Sequence, residues 1–210
     1  MDMCEVFSPP RLIPEAAKFG IAVGDAMDLT TGWGFAQEAG RRRAEAYVDK
    51  EKPPVLIGSP PCVAVSHFQA LIPDSERKAK QLADGIKHVG VVARLYRKHI
   101  DAGRILLHEQ PAHARSLALP RIRNIMRDLK VELVIADQCM FGLETRGKHK
   151  SQFVAAKNPT HFMTNSRTIG RELRRKCDRK HEHQPLLDGR AKGAARYPPA
   201  LCRAICRGIM

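Results

Sequence analysis

Residues 54–62 read Pro54-Val55-Leu56-Ile57-Gly58-Ser59-Pro60-Pro61-Cys62. The first half is a short apolar run, the pattern of a strand buried on both faces of a parallel sheet. The second half stops that strand with two prolines, whose extended, rigid turn holds the side chain of Cys62 clear of the sheet. Outward from this stretch, similar runs recur at 104–108 (RILLH) and 132–136 (ELVIA), with further strand candidates at 3–7 and from 21 to 23. Helical patterns separate them. A short one covers 15–19 and ends at Gly20, and a charged one over 37–50 holds Arg41, Arg42 and Arg43. A third is capped by Ser75 and runs to about 99, with Leu82, Ile86, Val89, Ala93 and Tyr96 on one face. Strand, helix and strand at this spacing predict an α/β, Rossmann-like fold, a mostly parallel sheet with helices on both faces.

The composition agrees. A chain of 210 residues, 43% apolar and 28% charged, is long enough to bury a core. No run of about 18 apolar residues occurs, which excludes a membrane span. Asp2 and Glu5 flank the first apolar stretch, so no signal peptide is expected. Six cysteines are too few for a secreted disulfide scaffold, and reduced thiols in an intracellular protein are expected, nuclear in a eukaryote and cytoplasmic otherwise.

The net charge of +14 is unevenly spread. The first 100 residues carry 14 Lys and Arg against 12 Asp and Glu, and the remaining 110 carry 22 against 10. That asymmetry is the footprint of a nucleic-acid partner, with cations displacing phosphate counterions. Residues 1–137 are expected to form the Rossmann-like core. Residues 138–210 are expected to form a basic extension that completes the fold and contacts nucleic acid through Arg146, Lys148, Lys150, Arg174 and Arg175. Lys157, Thr160 and Asn165 would also suit phosphate. The stretch 138–166 reads as loops or a hairpin, and 167–176 and 198–206 read as helices, the second started by proline.

Open parallel sheets bind ligands outside the carboxyl ends of their strands. Three such ends carry unusual residues here: Phe7-Ser8, Ser59-Pro60-Pro61-Cys62 and Glu109-Gln110-Pro111. A cysteine held off the sheet near a helix start and basic residues can ionise readily and act as a nucleophile. Glu109 stands at the matching end of another strand.

These strings resemble cytosine-5 DNA methyltransferases. GSPPCVAVS at 58–66 resembles that family's Pro-Cys loop, LHEQPAHARS at 107–116 is similar to its Glu loop, and CEVFSPPRLIPEAAKFGIAVGDAMDL at 4–29 is similar to its opening. The likeness covers about the first 120 residues in outline. It implies a methyltransferase form of the fold and transfer of a methyl group from S-adenosylmethionine to cytosine in DNA. By the resemblance, Cys62 is the nucleophile that adds to carbon 6, and Glu109 is the partner of ring nitrogen 3. Phe7, Ser8, Ser59 and Pro60 would contact the cofactor, and Asp28, with Asp25 as second candidate, would hold its ribose. Arg146 would be the arginine near the base. A base in duplex DNA must be flipped out to be reached. Two departures stand out: the turn after Phe7 is Ser8-Pro9-Pro10-Arg11, with no glycine, and no large target-recognition domain is present.

Three alternatives accompany this reading. One is a degenerate methyltransferase-fold module, for instance of a mobile element, that binds nucleic acid without methylating it. Another is a pyrimidine-nucleotide enzyme like thymidylate synthase, which uses the same cysteine chemistry. The third is a metal site: no metal is the first expectation, with zinc on Cys177, His181, His183, Cys202 and Cys206 as the alternative, though Cys202 and Cys206 share a helix face and read as core. Cys139 reads as structural, His67, His88 and His99 as surface or capping groups, and Trp33 as a core plug or a wall of the cofactor pocket.

Overall fold

The computed structural model describes residues 1–61, 75–112, 114–147, 152–187, 189–194 and 196–210. The chain opens β1 (Met3–Val6), α1 (Ile13–Ala16), β2 (Val23–Met27), α2 (Glu38–Glu51) and β3 (Val55–Gly58). It continues with α3 (Glu76–Asp101), β4 (Ile105–Pro111), α4 (Pro120–Met126) and β5 (Glu132–Asp137). The remainder gives a separate hairpin of β6 (Glu144–Arg146) and β7 (Phe153–Ala155), then β8 (Pro159–Thr164), α5 (Arg167–Leu173), α6 (Ala191–Ala194) and α7 (Pro199–Ile209). The main sheet has the order β2-β1-β3-β4-β8-β5. Its strands β2, β1, β3 and β4 are parallel neighbours, and β8 runs antiparallel between β4 and β5. The expected α/β class, a mostly parallel sheet flanked by helices and compatible with a Rossmann-like fold, is what the chain adopts. No helix among the described residues is long and apolar enough to cross a membrane.

Strand alternation assigns the two cores. Cys4, Val6, Leu56 and Leu106 face one side and meet α2, α3 and α4 through Ala44, Val48, Val92, Tyr96 and Ile122. Met3, Val55, Ile57 and Leu107 face the other and meet α1, α5 and α7 through Ala16, Ile169, Leu201 and Ile205. Gly58 permits one close approach: a Cβ there would lie 2.0 Å from the Tyr96 hydroxyl. That hydroxyl meets Nδ1 of His108 at 3.0 Å, and burial pushes the imidazole's pKa down to about 3, so the pair is neutral.

Several expectations need correction. The stretch 138–166, expected as loops or a hairpin, does hold the β6–β7 hairpin, yet residues 159–164 form a strand inside the sheet. The misleading polar residues are satisfied there: Thr164 Oγ1 donates to the Leu106 carbonyl at 2.7 Å, and Thr160 Oγ1 accepts from Gln138 Nε2 at 2.8 Å. Helices α5 and α7, after residue 138, also pack on the core, through Ile169, Leu201 and Ile205. Thr160 is fully buried, and the Asn165 amide bridges Leu106 N–H and the Arg104 carbonyl, so neither serves phosphate. Leu82 and Ile86, expected on the buried face of α3, are exposed at 42% and 46%. His99 is buried, not a surface group, with its ring nitrogens on the Leu95 and Pro53 carbonyls.

Helices α5 and α7 cross closely at Gly208, where a Cβ would stand 2.6 Å from Cα of Ile169. The obstacle is backbone and cannot rotate away. Gly208→Ala is expected to destabilise the fold by about 2 kcal/mol, a fall in Tm of about 4–8 °C for a chain of this size. A melt within 1 °C or so of the parent would show that the helices separate freely.

Candidate functional site

The strand order reverses at β1, since β2 lies to one side and β3 and β4 to the other. The carboxyl ends beside that switch are where such a sheet binds ligands. A cavity of about 480 Å³ opens there, lined by Arg11, Ser59, Pro60, Pro61, Glu109 and Gln138 among others. Glu109 lies within β4, paired with Phe162 of β8, so a sheet position rather than a loop aims its carboxyl group. Burial pushes its pKa above the ordinary carboxylate value, opposed by the Arg11 charge and by hydrogen bonds from Tyr197 and Ser59. The Ser59 and Tyr197 hydroxyls lie 2.9 Å apart.

The Pro60-Pro61 turn is clamped from below. Gln110 Nε2 donates to the Pro60 carbonyl at 2.6 Å, and Ser116 Oγ donates to Gln110 Oε1 at 3.0 Å. This delivers the chain along the cavity wall to Pro61, immediately before Cys62. Cys62 itself, like His67, Lys148 and Lys150, lies outside the described residues.

Arg11 is the residue that sequence reading missed. Its guanidinium lies over the Tyr197 ring, 4.7 Å from the centroid, and its Nε is buried with no partner among the described residues. Gln138 Oε1 is likewise buried and unpartnered, while its amide nitrogen is held by Thr160. An orphaned donor and an orphaned acceptor lining a cavity beside a buried carboxyl group suit a polar, planar ligand. Arg146, expected near the base, is exposed on β6, whereas Arg11 lines the cavity.

The β1 turn commits most of its polar groups to the fold. Phe7 takes a left-handed φ of 54° and packs its ring on Phe35 and His88, with centroids 3.9 and 5.0 Å away. Ser8 is fully buried and donates its hydroxyl to Glu5 at 2.8 Å. Pro9 and Pro10 have no N–H, and the N–H groups of Arg11 and Leu12 go to Glu5 Oε1, each at 3.2 Å. Asp28 is at the expected end of β2, where its Oδ1 accepts from Thr30 N and Thr30 Oγ1 at 2.9 and 2.8 Å, capping a 3₁₀ turn. Trp33 is a core plug: it is 5% exposed, stacked under Arg43 and set edge-on to Tyr47. Of the residues expected at the cofactor, Asp28 spends its carboxylate on capping its own turn, and Ser59 and Pro60 line the Glu109 cavity instead.

No family model, curated protein or solved structure matches this chain. The site therefore rests on its own geometry. Arg174 and Arg175 are exposed as nucleic-acid contacts require, but Arg174 already pairs with Glu132 at 2.7 Å and Arg175 lies over the Phe141 ring. Cys202 and Cys206 are buried on α7, away from Cys177, and Cys202 donates to the Arg11 carbonyl at 3.5 Å. Cys177, His181 and His183 instead converge with Cys139.

Proposed function

We propose that the chain is a cytosine-5 DNA methyltransferase-like protein that captures an extrahelical cytosine in the Glu109 cavity. The observation that carries this reading is the carboxyl group of Glu109, raised in pKa by burial, in the same cavity as the turn leading to Cys62. A protonated Glu109 donates to ring nitrogen 3, and the guanidinium of Arg11 donates to the carbonyl oxygen at carbon 2. The Cys62 thiolate then forms a bond to carbon 6, the ring π electrons shift toward nitrogen 3, and Glu109 delivers its proton there. Carbon 5 becomes enamine-like and nucleophilic. The step is reversed by loss of the same proton and departure of the thiolate. The family resemblance names S-adenosylmethionine as the methyl donor at carbon 5.

The closed β1 turn favours a second reading, a nucleic-acid-binding module that captures cytosine without methylating it. Two measurements separate them. Addition at carbon 6 alone exchanges the carbon 5 hydrogen with solvent, so the purified protein with cytosine-containing DNA in deuterium oxide is expected to deuterate that position. With S-adenosylmethionine and a 5-fluorocytosine oligonucleotide, methyl transfer leaves a denaturation-resistant adduct, because fluorine cannot depart as the proton does. Exchange with adduct supports methylation, and exchange without adduct supports the capture module. Neither, alongside salt-sensitive DNA binding, overturns the cysteine mechanism.

A further inference from the structure

We propose that Cys139, Cys177, His181 and His183 form a structural zinc site, which goes beyond the methyltransferase-like reading and does not depend on it. The four residues come from two unrelated pieces of chain. Cys139 lies in the 3₁₀ turn Gln138–Phe141 that directly follows β5, and the other three lie in the irregular stretch after α5. Their ligand atoms, two sulfurs and two imidazole nitrogens, all lie within 4.8 Å of one another.

Two of the separations are those of a tetrahedron about one ion. Zinc holds sulfur at about 2.3 Å and nitrogen at about 2.0–2.1 Å, so tetrahedral angles place sulfur and nitrogen about 3.6 Å apart. Cys177 Sγ lies 3.6 Å from His181 Nε2 and 3.5 Å from His183 Nε2. The imidazole rings meet nearly at right angles, 72° between planes, as two ligands converging on one point can. Two thiolates with two imidazoles select zinc over calcium or magnesium, which take oxygen, and four protein ligands leave no open position for catalysis.

The surroundings support ligation. Arg179 turns the chain with a left-handed φ of 62°, and its N–H donates to Cys177 Sγ at 3.3 Å. The Cys177 N–H donates to Asp137 Oδ2 at 2.8 Å, and the Asp137 N–H donates to the Arg175 carbonyl at 2.9 Å, tying the stretch to the end of β5. Asp178 Oδ1 stands 3.8 Å from Nδ1 of His181, on the side of the ring away from the cluster, where a carboxylate orients a ligating histidine.

Between Arg174 and Pro185 the chain forms neither helix nor strand, so the ion would supply the cross-link that regular hydrogen bonding does not. The consequence reaches the cavity. Gln138, next to Cys139, and Leu186, three residues beyond His183, both line it. The metal thus holds one wall of the candidate site and presents the cations Arg175, Lys176, Arg179 and Lys180 on a fixed knuckle.

The test uses the full chain, purified under reducing conditions from zinc-supplemented cells. Elemental analysis is expected to find one zinc per chain. Chelation should lower the thermal midpoint, and zinc should restore it. Cobalt(II) added to the stripped protein should give intense tetrahedral ligand-field bands with thiolate-to-cobalt charge transfer. Cys177→Ser and His183→Ala should lose both the zinc and the cobalt spectrum, and Cys206→Ala, on α7, should keep both. His181→Cys should retain the metal and strengthen the charge-transfer band, which covers the case in which the other variants fail to fold. Substoichiometric zinc with no cobalt bands in the parent chain would overturn the proposal. So would full zinc retention in Cys177→Ser, or a Cys139–Cys177 disulfide in the reduced preparation.

Discussion

Glu109→Gln is expected to slow deuterium exchange at cytosine carbon 5 by at least about 100-fold, the scale of a lost general acid. The amide has the shape of the carboxyl group and can still hydrogen-bond ring nitrogen 3, but it has no proton to give. Local structure should survive, because Glu109 sits in β4 and its backbone pairs with β8 whatever the side chain. The pH profile provides an independent check. Exchange needs the thiolate, favoured as pH rises, and the protonated carboxyl group, lost as pH rises through the raised pKa of Glu109. The parent protein should therefore show a bell, and the variant only the rising limb. An exchange rate within threefold of the parent, with the bell intact, would remove Glu109 from the chemistry.

Glu5→Ala is expected to be the most damaging single substitution of a polar side chain. Glu5 is fully buried, and its carboxylate accepts from Ser8 Oγ, Arg11 N and Leu12 N. Alanine leaves two backbone donors without partners, each costing about 1–3 kcal/mol when buried, and leaves the Ser8 hydroxyl only the Pro9 carbonyl at 3.0 Å. A loss of at least about 3 kcal/mol is expected by urea unfolding, with Tm lower by about 6–12 °C. Glu5→Gln keeps one acceptor oxygen and should lose less. Burial outweighs the three hydrogen bonds and raises the Glu5 pKa, so the folded protein holds this proton more tightly than the unfolded chain. The Glu5 contribution is complete below the ordinary glutamate value and fades as pH rises through the raised one. Stability of Glu5→Gln should lack that decline. Equal stability of Glu5→Ala and the parent would mean that the β1 turn is held by something else.

How far the fold was legible follows from which residues carry a period. The run at 55–58 is apolar because both faces of the sheet are covered there, and 133–136, with Val134 and Ala136 buried, is apolar enough to be read as a strand. Strand β8 is not. Two of its buried positions are threonines, Thr160 and Thr164, whose hydroxyl groups are satisfied locally, and no periodicity reveals a partner 50 residues away. The site divides similarly. Glu109 and the Pro60-Pro61 turn were visible as odd residues at strand ends. Arg11 was hidden because nothing local distinguishes it. Only the fold of the β1 turn over Glu5 and the stacking on Tyr197 bring it to Glu109. The clustering of Cys139 with the Cys-x3-His-x-His stretch was invisible for the same reason, since it depends on α5 returning the chain to the end of β5.

Strand β8 also bears on how the protein is made. The ribosome releases β4 about 50 residues before the strand that covers its edge, and at roughly 5–20 residues per second that leaves an unpaired edge for several seconds. During this interval the inner edges of β4 and β5 can recruit each other wrongly, or recruit another nascent chain. Slower translation through the hairpin and the basic 148–157 stretch would lengthen the exposure. Yield of native protein should accordingly depend on elongation speed and on chaperones that shield strand edges.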